Sequence, residues 1–513
     1  MSDEIKNTLP MENSEYIASQ NAIIRNRIDK MNAFREEGLD VYATGFQPTD
    51  RAAELKKLYG NETHESLEEK NVHAVLAGRI MNIRVFGKGS FAVLKDATGS
   101  IQIHVGRDGV GEETYARYKK FDMGDIVGVE GTLFITKTGE LTLRCSSIKL
   151  LTKSLRPLPE KFHGLTDTEA RYRQRYLDLI VNDDVRDVFF KRSLITQKIR
   201  AYMADHGFLE VETPILQAHA GGATARPFIT HHNALDMDMY LRIAPELFLK
   251  RLIVGGFERV FELNRNFRNE GLDRRHNPEF TMMEFYMAYG TYTILMEFIE
   301  TMVQTIAMDV CGTTSLKWNG NDIEVGGSWK RLRIREGVAA ALGVSEDKLS
   351  DRAFLEETVA TLPEPIRGDA LKGKSDGHLL MEIFEQRVEA TLIQPTFVYE
   401  YPSSVSPLAR RNDTDGDYVD RFEIFVGGTE LGNAFNELND PLDQRQRFLD
   451  QIKKRLEGDD EAHPMDDDYV CALEFGMPPC AGAGIGIDRL VMLLTGADSI
   501  RDVILFPTMR DQD

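Results

Sequence analysis

The apolar residues recur at different periods along the chain, and these periods divide it into segments. Residues 1–70 are polar and helix-prone, and in NAIIRNRIDKMNAFREEG the apolar residues recur at roughly helical spacing. From 73 to 151, short runs alternate apolar and polar residues between turn residues, which is the pattern of β-strands. From about 181 to the end, helical and strand patterns are mixed. The sequence therefore predicts an α+β protein of more than one domain.

The β-rich segment contains five predicted strands, beginning with HAVLAGRIMNIRVFG and ending with GELTLRCSSIKLL. A helix-like run, EETYARYKKF, lies between the third and fourth strands. This order predicts a five-stranded OB-fold barrel, a frequent binder of single-stranded nucleic acid or oligosaccharide. We place this domain at 71–152.

The segments around the barrel suggest further boundaries. The Pro-punctuated stretch SLRPLPEKFHGL predicts a linker at 153–180, followed by a larger domain at 181–513. Residues from about 312 to 395 are helical and loop-rich, which indicates an insertion in that domain. The helix predicted within 1–70 is either a solvated helix or an arm that touches a polyanion, and its sequence leaves both open.

Composition narrows the class of protein. The 513 residues are 42% hydrophobic, and the four cysteines are scattered without a CxxC pair, which supports neither a disulfide framework nor a zinc site. We find no signal peptide and no apolar run long enough for a membrane span, so we expect a cytoplasmic protein with no membrane partner.

Charge is distributed unevenly between the predicted domains. The net charge of −20 argues against non-specific binding of nucleic acid by the whole chain. Residues 71–155, however, carry twelve Lys and Arg against eight Asp and Glu. This local positive charge favours nucleic-acid binding by the barrel.

The stretch FRNEGLDRRHNPEFTMMEFY combines charged and aromatic residues in a region otherwise rich in core residues. Strand alternation puts two sets of residues on one face of a long-looped hairpin: Asn264, Asn266, Arg268 and Glu270, and Phe280, Met282, Glu284 and Tyr286. Arg suits a phosphate, Phe a stacked base and Glu270 an exocyclic amine. No GxxxxGK[ST] or strand-linked GxGxxG occurs, so we predict an ATP site without a Gly-rich loop. The alternative is a surface hairpin with one charged side.

A second hairpin is predicted in DRFEIFVGGTELGNAFNE. With Gly427 and Gly428 as the turn, Glu423 lies diagonal to Glu430 on one face. Two neighbouring carboxylates repel each other unless a cation lies between them, and hard oxygen ligands with substrate phosphates suit Mg²⁺. The alternative is an exposed acidic hairpin.

Two further stretches each contain a predicted helix. In AGAGIGIDRLVMLL, a run of small residues precedes Arg489 at a predicted helix start, which suits close approach to a phosphate or a stacked ring, or simply tight packing. The segment DVFFKRSLITQKIRAYMADHGFLEVETPIL predicts an amphipathic helix that stops at Gly207 and a strand that ends at Pro214. We interpret this last segment as structural.

In this order, the stretches resemble the three motifs of class II aminoacyl-tRNA synthetases. HGFLEVETPIL resembles motif 1, FRNE through HNPEFTMMEFY resembles motif 2, and GIGIDRL resembles motif 3. With an N-terminal OB-fold, the chain resembles subclass IIb, which contains the aspartyl, asparaginyl and lysyl enzymes. The resemblance implies a catalytic domain built on an antiparallel sheet flanked by helices, and a homodimer formed through motif 1.

The resemblance also implies roles for individual residues. Arg268 and Arg489 are the expected catalytic residues. The expected ATP-binding residues are Arg268, Glu270, His276, Asn277, Phe280, Glu423 and Arg489, with Glu423 and Glu430 as ligands of Mg²⁺. The expected amino-acid-binding residues are Gly222, Glu246, Arg268, Glu284, Tyr286, Asn433 and Glu437. Phe91 and Gln102 resemble the pair that binds the central anticodon base.

The acidic residues of the predicted pocket indicate the substrate. An aspartate side chain needs a cation at the base of its pocket, whereas Glu284 and Glu437 suit a positive side chain. We therefore expect ATP-dependent activation of L-lysine and its transfer to the 3′ end of tRNA(Lys). The alternatives are an aspartyl or asparaginyl enzyme, a catalytically silent RNA-binding relative, and a paralogue that lysylates a protein.

Overall fold

The chain forms two compact units, residues 1–164 and residues 165–513. The structure, a computed structural model, describes residue 17 and residues 19–159, 165–456 and 464–511. Part of the predicted helical region (1–16 and 18) and part of the predicted linker (160–164) lie outside the described residues.

The first unit contains the predicted barrel. Its five strands close in the order β1-β2-β3-β5-β4, and two short helices, α4 and α5, separate β3 from β4. The bounds are β1 His73–Phe86, β2 Gly89–Lys95, β3 Ser100–Gly106, α4 Arg107–Val110, α5 Glu112–Tyr118, β4 Ile126–Ile135 and β5 Leu141–Thr152. The alternation of buried and partly exposed residues along β2 and β3 follows the two-residue period of the sequence. The predicted five-stranded OB-fold is confirmed.

Within the described residues, three helices precede the barrel: α1 Ala22–Glu36, α2 Ala52–Tyr59 and α3 His64–Lys70. The α1 helix is not solvated on all sides, because Ile24, Ile28, Met31 and Phe34 are buried in the same apolar cluster as the barrel strands. The Phe34 ring lies edge-on to Phe121, with centroids 5.8 Å apart. The helical spacing of these residues thus creates one buried face.

The second unit is built on an eight-stranded sheet with the order β14-β15-β16-β17-β18-β11-β10-β6. Its inner strands are antiparallel, as expected, but the pairs β14–β15 and β10–β6 at the two edges are parallel. The strand bounds are β6 Leu209–Glu210, β10 Arg259–Phe267, β11 Glu279–Ala288, β14 Lys330–Arg333, β15 Thr396–Pro402, β16 Tyr418–Val426, β17 Thr429–Asn436 and β18 Cys480–Gly486. A small separate sheet contains β7 Leu216–Gln217, β8 Ile229–His232 and β9 Met237–Leu241.

Helices cover this sheet and form its main core. Long apolar stretches of α10 and α16 pack with sheet residues in one cluster, which includes Ile299, Val303, Phe285, Ile485 and Leu490. The helix bounds are α6 Thr168–Arg173, α7 Arg175–Val181, α8 Asp183–Asp205, α9 Glu246–Val254, α10 Tyr292–Cys311, α14 Pro441–Leu456, α15 Asp467–Glu474, α16 Ile487–Thr495 and α17 Ile500–Val503.

The segment from 312 to 395 differs in part from the helical prediction. It begins with a hairpin, β12 Ser315–Trp318 and β13 Asn321–Glu324, and its β14 strand joins the edge of the main sheet. The helices follow: α11 Ile334–Leu342, α12 Arg352–Val359 and α13 Asp376–Arg387, which enclose their own apolar cluster. The strands β12, β13 and β14 are each only four residues long, and buried residues alternate with more exposed ones along them. A prediction from the overall composition of the segment therefore misses them.

The strand predicted to end at Pro214 is only two residues long. Beyond β6, the Val211 amide still donates to Phe261 O, but Thr213 then pairs through its backbone amide and hydroxyl with the Glu262 carboxylate. Hydrogen bonds to the Glu262 side chain therefore replace the backbone pairing with β10 before Pro214 is reached. No helix in the described part of the chain combines the length and hydropathy needed to cross a membrane.

Candidate active site

The β10–β11 hairpin presents the first group of predicted site residues. Its register pairs Asn266 with Phe280, Asn264 with Met282 and Glu262 with Glu284. Directly opposed residues of an antiparallel pair lie on the same face, so this part of the predicted face is formed. Arg268 and Glu270 lie beyond the end of β10, in the loop that joins the two strands.

A cavity of about 210 Å³ lies at the loop end of this hairpin. Its lining includes six of the seven predicted ATP-binding residues: Arg268, Glu270, His276, Asn277, Phe280 and Arg489. The Arg268 guanidinium lies 5.1 Å from the centre of the Phe280 ring, and its Nε has no hydrogen-bond partner. A buried guanidinium donor without a partner suits an anionic ligand.

Hydrogen bonds with neighbouring segments hold Arg489 and His276 in place at the first cavity. Arg489 Nη1 donates to Glu430 O at 2.6 Å, and Arg489 Nη2 lies 3.2 Å from His276 Nε2. His276 is held in turn by Asp273, with 2.8 Å between Nδ1 and Oδ2. The α16 helix that carries Arg489 is anchored by Asp488, which accepts from the Thr281 amide at 2.7 Å.

A second cavity, of about 300 Å³, adjoins the first at Arg268, Glu430 and Asn433, which line both. Its lining includes six of the seven predicted amino-acid-binding residues: Gly222, Glu246, Arg268, Glu284, Tyr286 and Asn433. Glu423 also lines this cavity rather than the first one. Two ligands can therefore meet at Arg268, one in each cavity.

Buried carboxylates dominate the far wall of the second cavity. Glu284 is 5% exposed and accepts a hydrogen bond of 3.3 Å from the Tyr286 hydroxyl. Burial raises the pKa of Glu284 well above its ordinary value, Glu246 and Glu262 add to the rise, and Arg268 opposes it. Such a wall favours a guest that brings positive charge.

Glu437 is not part of the cavity lining. It is 2% exposed, lies behind Gly482 and the Tyr286 ring, and forms an ion pair with the fully buried Lys250. The Lys250 ammonium also lies 2.5 Å from Glu246 Oε1. Glu246 and Glu437 therefore share an internal cation.

The β16–β17 hairpin carries the predicted magnesium ligands. The turn at Gly427 and Gly428 has the predicted register, with Phe425 opposite Glu430, but an irregularity follows and moves Glu423 opposite Asn433. Glu423 and Glu430 nevertheless line the same cavity. Burial raises the pKa of Glu423 to about 7, with Glu430 adding to the rise, while Arg421 opposes it through a 2.5 Å ion pair.

This pair of carboxylates fits Mg²⁺ in its chemistry. Both are hard oxygen donors, and their mutual repulsion is relieved by a cation between them. No group of three or more His, Cys, Asp or Glu residues in the described ranges is arranged to hold a metal. With Mg²⁺ held by one or two carboxylates, water and ligand oxygens would complete its coordination.

On the barrel, Phe91 and Gln102 lie on β2 and β3 and are half-buried. The Phe91 ring lies 4.9 Å from the His104 ring, and Gln102 Oε1 accepts from Thr142 Oγ1 at 2.9 Å. Both side chains remain partly exposed. His104 extends this face and was not among the predicted residues.

Sequence reasoning also missed Lys250 and Arg421. A signal for Lys250 existed, since it follows Glu246 by four residues on a helix and such pairs are neighbours. Arg421 and Glu423 are two residues apart on β16 and therefore share a face. Neither spacing reveals that the partners are buried.

Comparisons with known proteins agree with this geometry. Residues 167–510 match the family "tRNA synthetases class II (D, K and N)", and residues 74–151 match "OB-fold nucleic acid binding domain". The chain is 52% identical over 504 residues to a lysine–tRNA ligase of Aromatoleum aromaticum, covering 98% of this chain and 99% of the relative. It is 51% identical over 500 residues to the lysine–tRNA ligase of Escherichia coli K12, covering 97% and 98%.

The family match covers more than half of the chain, and the relatives are similar over nearly its whole length. The predicted family resemblance is confirmed. The chain belongs to the class II tRNA synthetases of the D, K and N group.

Proposed function

We propose that this protein is a lysine–tRNA ligase, which activates L-lysine with ATP and transfers it to the 3′ end of tRNA(Lys). One observation carries the choice of amino acid: Glu246 and Glu284 are carboxylates on the wall of the cavity that adjoins the ATP cavity at Arg268. A lysine side chain would place its ammonium against these groups. The curated relatives of nearly equal length are lysine–tRNA ligases.

The proposed first step forms lysyl-adenylate. The carboxylate of bound lysine attacks the α-phosphorus of ATP, the bond to the bridging oxygen breaks, and pyrophosphate leaves. Arg268 lies between the two cavities, where it stabilises the negative charge that grows on the α-phosphate. No side chain acts as a nucleophile, so catalysis comes from position and electrostatics.

The lining of the first cavity supports the remaining assignments to ATP. Phe280 lies under adenine, Glu270 accepts from its exocyclic amine, and His276 and Asn277 hold the nucleotide from the loop. Arg489 covers the other side of adenine and reaches the γ-phosphate. Glu423 and Glu430 hold Mg²⁺, which supplies positive charge at the phosphate oxygens when it is bound.

The amino-acid contacts follow from the second cavity. Gly222 and Glu246 receive the α-ammonium, while Asn433 and Arg268 receive the carboxylate. Glu284 and Tyr286 receive the side-chain ammonium, with Glu437 behind them.

In the proposed second step, the 3′ hydroxyl of the terminal adenosine attacks the carbonyl carbon of lysyl-adenylate, and AMP leaves. The barrel binds the anticodon, with Phe91 stacked on the central base and Gln102 bonded to its edge. The half-buried Phe91 ring and the net positive charge of this segment support this role. Translation takes place in the cytoplasm, and the four cysteines are free thiols, as a reducing compartment maintains them.

We further propose a homodimer formed through the motif 1 region. Large apolar side chains are exposed on α8 and on the segments that follow it, among them Phe190, Leu194, Leu209, Ile215, Leu216 and Ile229. A second copy would cover them. Sedimentation should give a dimer mass, and a monomer at micromolar concentration would contradict this proposal.

The test of the function is amino-acid-dependent ATP–pyrophosphate exchange across the standard amino acids, followed by charging of tRNA. Lysine should support exchange well above aspartate and asparagine, and tRNA(Lys) should be charged. Exchange with aspartate or asparagine would identify the other members of the group. Absence of exchange with every amino acid would indicate a silent relative.

A further inference from the structure

Lys250 forms a buried ionic contact that the proposed reaction does not use. Its side chain is 0% exposed, and its ammonium pairs with Glu246 on the same helix and with Glu437, which follows β17. The Phe435 and Tyr469 rings lie 5.4 Å and 6.0 Å from the ammonium. A charge buried this deeply is costly unless it is fully paired.

Among the groups proposed to hold the two ammonium groups of lysine, the charges balance only when Lys250 is included; the other carboxylates of the lining, Glu423 and Glu430, are assigned to Mg²⁺. Glu246, Glu284 and Glu437 contribute three carboxylates, whereas Glu262 is already neutralised by Arg242 at 2.7 Å. Lys250 reduces the excess to two negative charges. A bound lysine brings two ammonium groups, and its carboxylate meets Arg268.

The groups that face this ion pair come from four elements. Besides Glu246 on α9, they are Tyr469 on α15, Cys480 on β18 and Tyr286 on β11. Burial raises the pKa of Glu437 to about 8, Lys250 opposes this rise, and Glu246 adds to it. Burial tends to lower the pKa of Lys250, but the two carboxylates outweigh it and keep that pKa well above its ordinary value.

We propose that Lys250 is a positioning residue that fixes Glu246 and Glu437 and sets the charge of the cavity to match a guest with two ammonium groups. This inference rests on the proposed function. The buried Lys250 ammonium contacts both Glu246 and Glu437. Glu246 is assigned to the α-ammonium of the substrate, and Glu437 lies behind the residues assigned to its side-chain ammonium. Lys250 does not line the cavity and therefore acts through these two residues.

The test is Lys250→Met in the full-length protein, measured by lysine-dependent ATP–pyrophosphate exchange. Methionine removes the charge and keeps an unbranched side chain. We expect the KM for lysine to rise at least tenfold and the KM for ATP to stay within twofold. Without the opposing cation the pKa of Glu437 rises further, so the acidic limb of kcat/KM for lysine should move to higher pH by about one unit or more.

A matched control exists in the barrel unit. Lys153 is likewise 0% exposed, and its ammonium lies 2.6 Å from Asp122 and 2.8 Å from Asp125. Lys153→Met removes a similar buried ion pair far along the chain from the site residues. It should lower thermal stability and leave the KM for lysine and the pH profile of exchange unchanged.

Two results would overturn the proposal. One is a folded Lys250→Met protein with the wild-type KM for lysine and the wild-type pH profile. The other is a parallel loss of lysine and ATP parameters that follows the loss of thermal stability, as a purely structural role requires.

The double variant Lys250→Met/Glu437→Gln serves if the single variant fails to fold, because it removes both members of the pair. The double variant should have a raised KM for lysine, but the acidic limb of its pH profile of kcat/KM for lysine should not move to higher pH. An upward shift of that limb would contradict the proposal. Absence of lysine-dependent exchange in the wild type would instead refute the proposed function.

Discussion

At the scale of single residues, the two cavities contain side chains whose burial makes sense only with ligands. Glu284 is 5% exposed, with a tyrosine hydroxyl as its hydrogen-bond donor and no cation paired with it in the described structure. Arg268 has an unpartnered Nε at the junction of the cavities. In the proposed function, a lysine ammonium and an α-phosphate would supply the missing opposite charges.

The first prediction concerns Glu284→Gln, which keeps the volume and removes the charge. We expect kcat/KM for lysine to fall roughly 30- to 150-fold, since one lost partner of a buried ammonium costs about 2 to 3 kcal/mol after Tyr286 and Glu437 offset part of it. The KM for ATP should change little. Steady-state exchange kinetics measure both values.

Glu279→Gln is the matched control for this change. Glu279 is on the same strand, is exposed, and lies 3.6 Å from Arg265. It should leave lysine kinetics unchanged. Loss of ATP binding with unaltered lysine kinetics in Glu284→Gln would show that the pocket assignment is wrong.

The second prediction is a pH dependence of lysine use. Burial raises the pKa of Glu284 well above its ordinary value and that of Glu437 to about 8. As pH falls through these values the carboxylates take up protons and no longer balance an ammonium. We expect kcat/KM for lysine to fall between pH 8 and pH 6, by up to about tenfold per pH unit for each proton.

Exchange measured at several pH values with saturating ATP gives this profile. Binding of lysine at pH 7 should also release protons, because its ammonium groups favour the ionised carboxylates. Calorimetry in two buffers of different ionisation enthalpy detects that release. A flat profile together with no proton release would contradict the assignment of these carboxylates.

At the scale of elements, β18 explains the glycines of AGAGIGI. Ala481, Ala483 and Ile485 pack into the core, while the glycines between them leave room for the site. A Cβ at Gly484 would lie 2.8 Å from Met282 Cε, whereas one at Gly486 would make only an ordinary contact, 3.4 Å from Leu431 O. The strand thus forms the floor of both cavities because it lacks side chains on one face.

The third prediction contrasts two glycines of this strand. A Cβ at Gly482 would collide with the Tyr286 ring and the Glu437 carboxylate. We expect Gly482→Ala to lower kcat/KM for lysine at least tenfold, since displacement of either group disturbs the ammonium site. Exchange kinetics with lysine and with ATP varied in turn provide the measurement.

Gly486→Ala is the control at the other end of the strand. Its Cβ meets only ordinary contacts, in the lining of the ATP cavity. It should affect the KM for ATP more than that for lysine. If Gly482→Ala and Gly486→Ala lowered kcat/KM for lysine equally, β18 would affect lysine use only through the stability of the protein.

At the scale of the whole molecule, the chain separates into two compact units with their own apolar clusters. The site residues of both cavities belong to the second unit. The anticodon candidates Phe91 and Gln102 belong to the first.

The fourth prediction follows from this division. A protein comprising residues 165–513 should keep lysine-dependent exchange within about threefold, since a compact unit can fold alone. Its kcat/KM for tRNA should fall at least a hundredfold, because the anticodon contacts and the basic segment are lost. Exchange and charging assays on the same preparation measure both.

The dimer mass of the truncated protein is the control for folding. Loss of exchange together with charging, in a protein that is still folded and dimeric, would show that the catalytic unit depends on the barrel. Charging at the full-length rate would refute the anticodon role of the first unit.

Much of the fold follows from the sequence because its signals are local. The two-residue period of the barrel strands and the turn at Gly427–Gly428 each depend on neighbours in the chain. The same holds for the cross-strand face of Phe280, Met282 and Glu284. These local features are sufficient to predict the barrel and both hairpins.

Tertiary structure alone decided which charges are buried and with which partners. The spacing of Glu246 and Lys250 is that of an ordinary surface pair, yet both are buried because β17, α15 and β18 pack around them. The displacement of Glu423 by one residue and the withdrawal of Glu437 behind Gly482 also arise from contacts between distant segments. Sequence periodicity determines the face on which a residue lies, but only the packing of other elements on that face determines its exposure and its counter-ion.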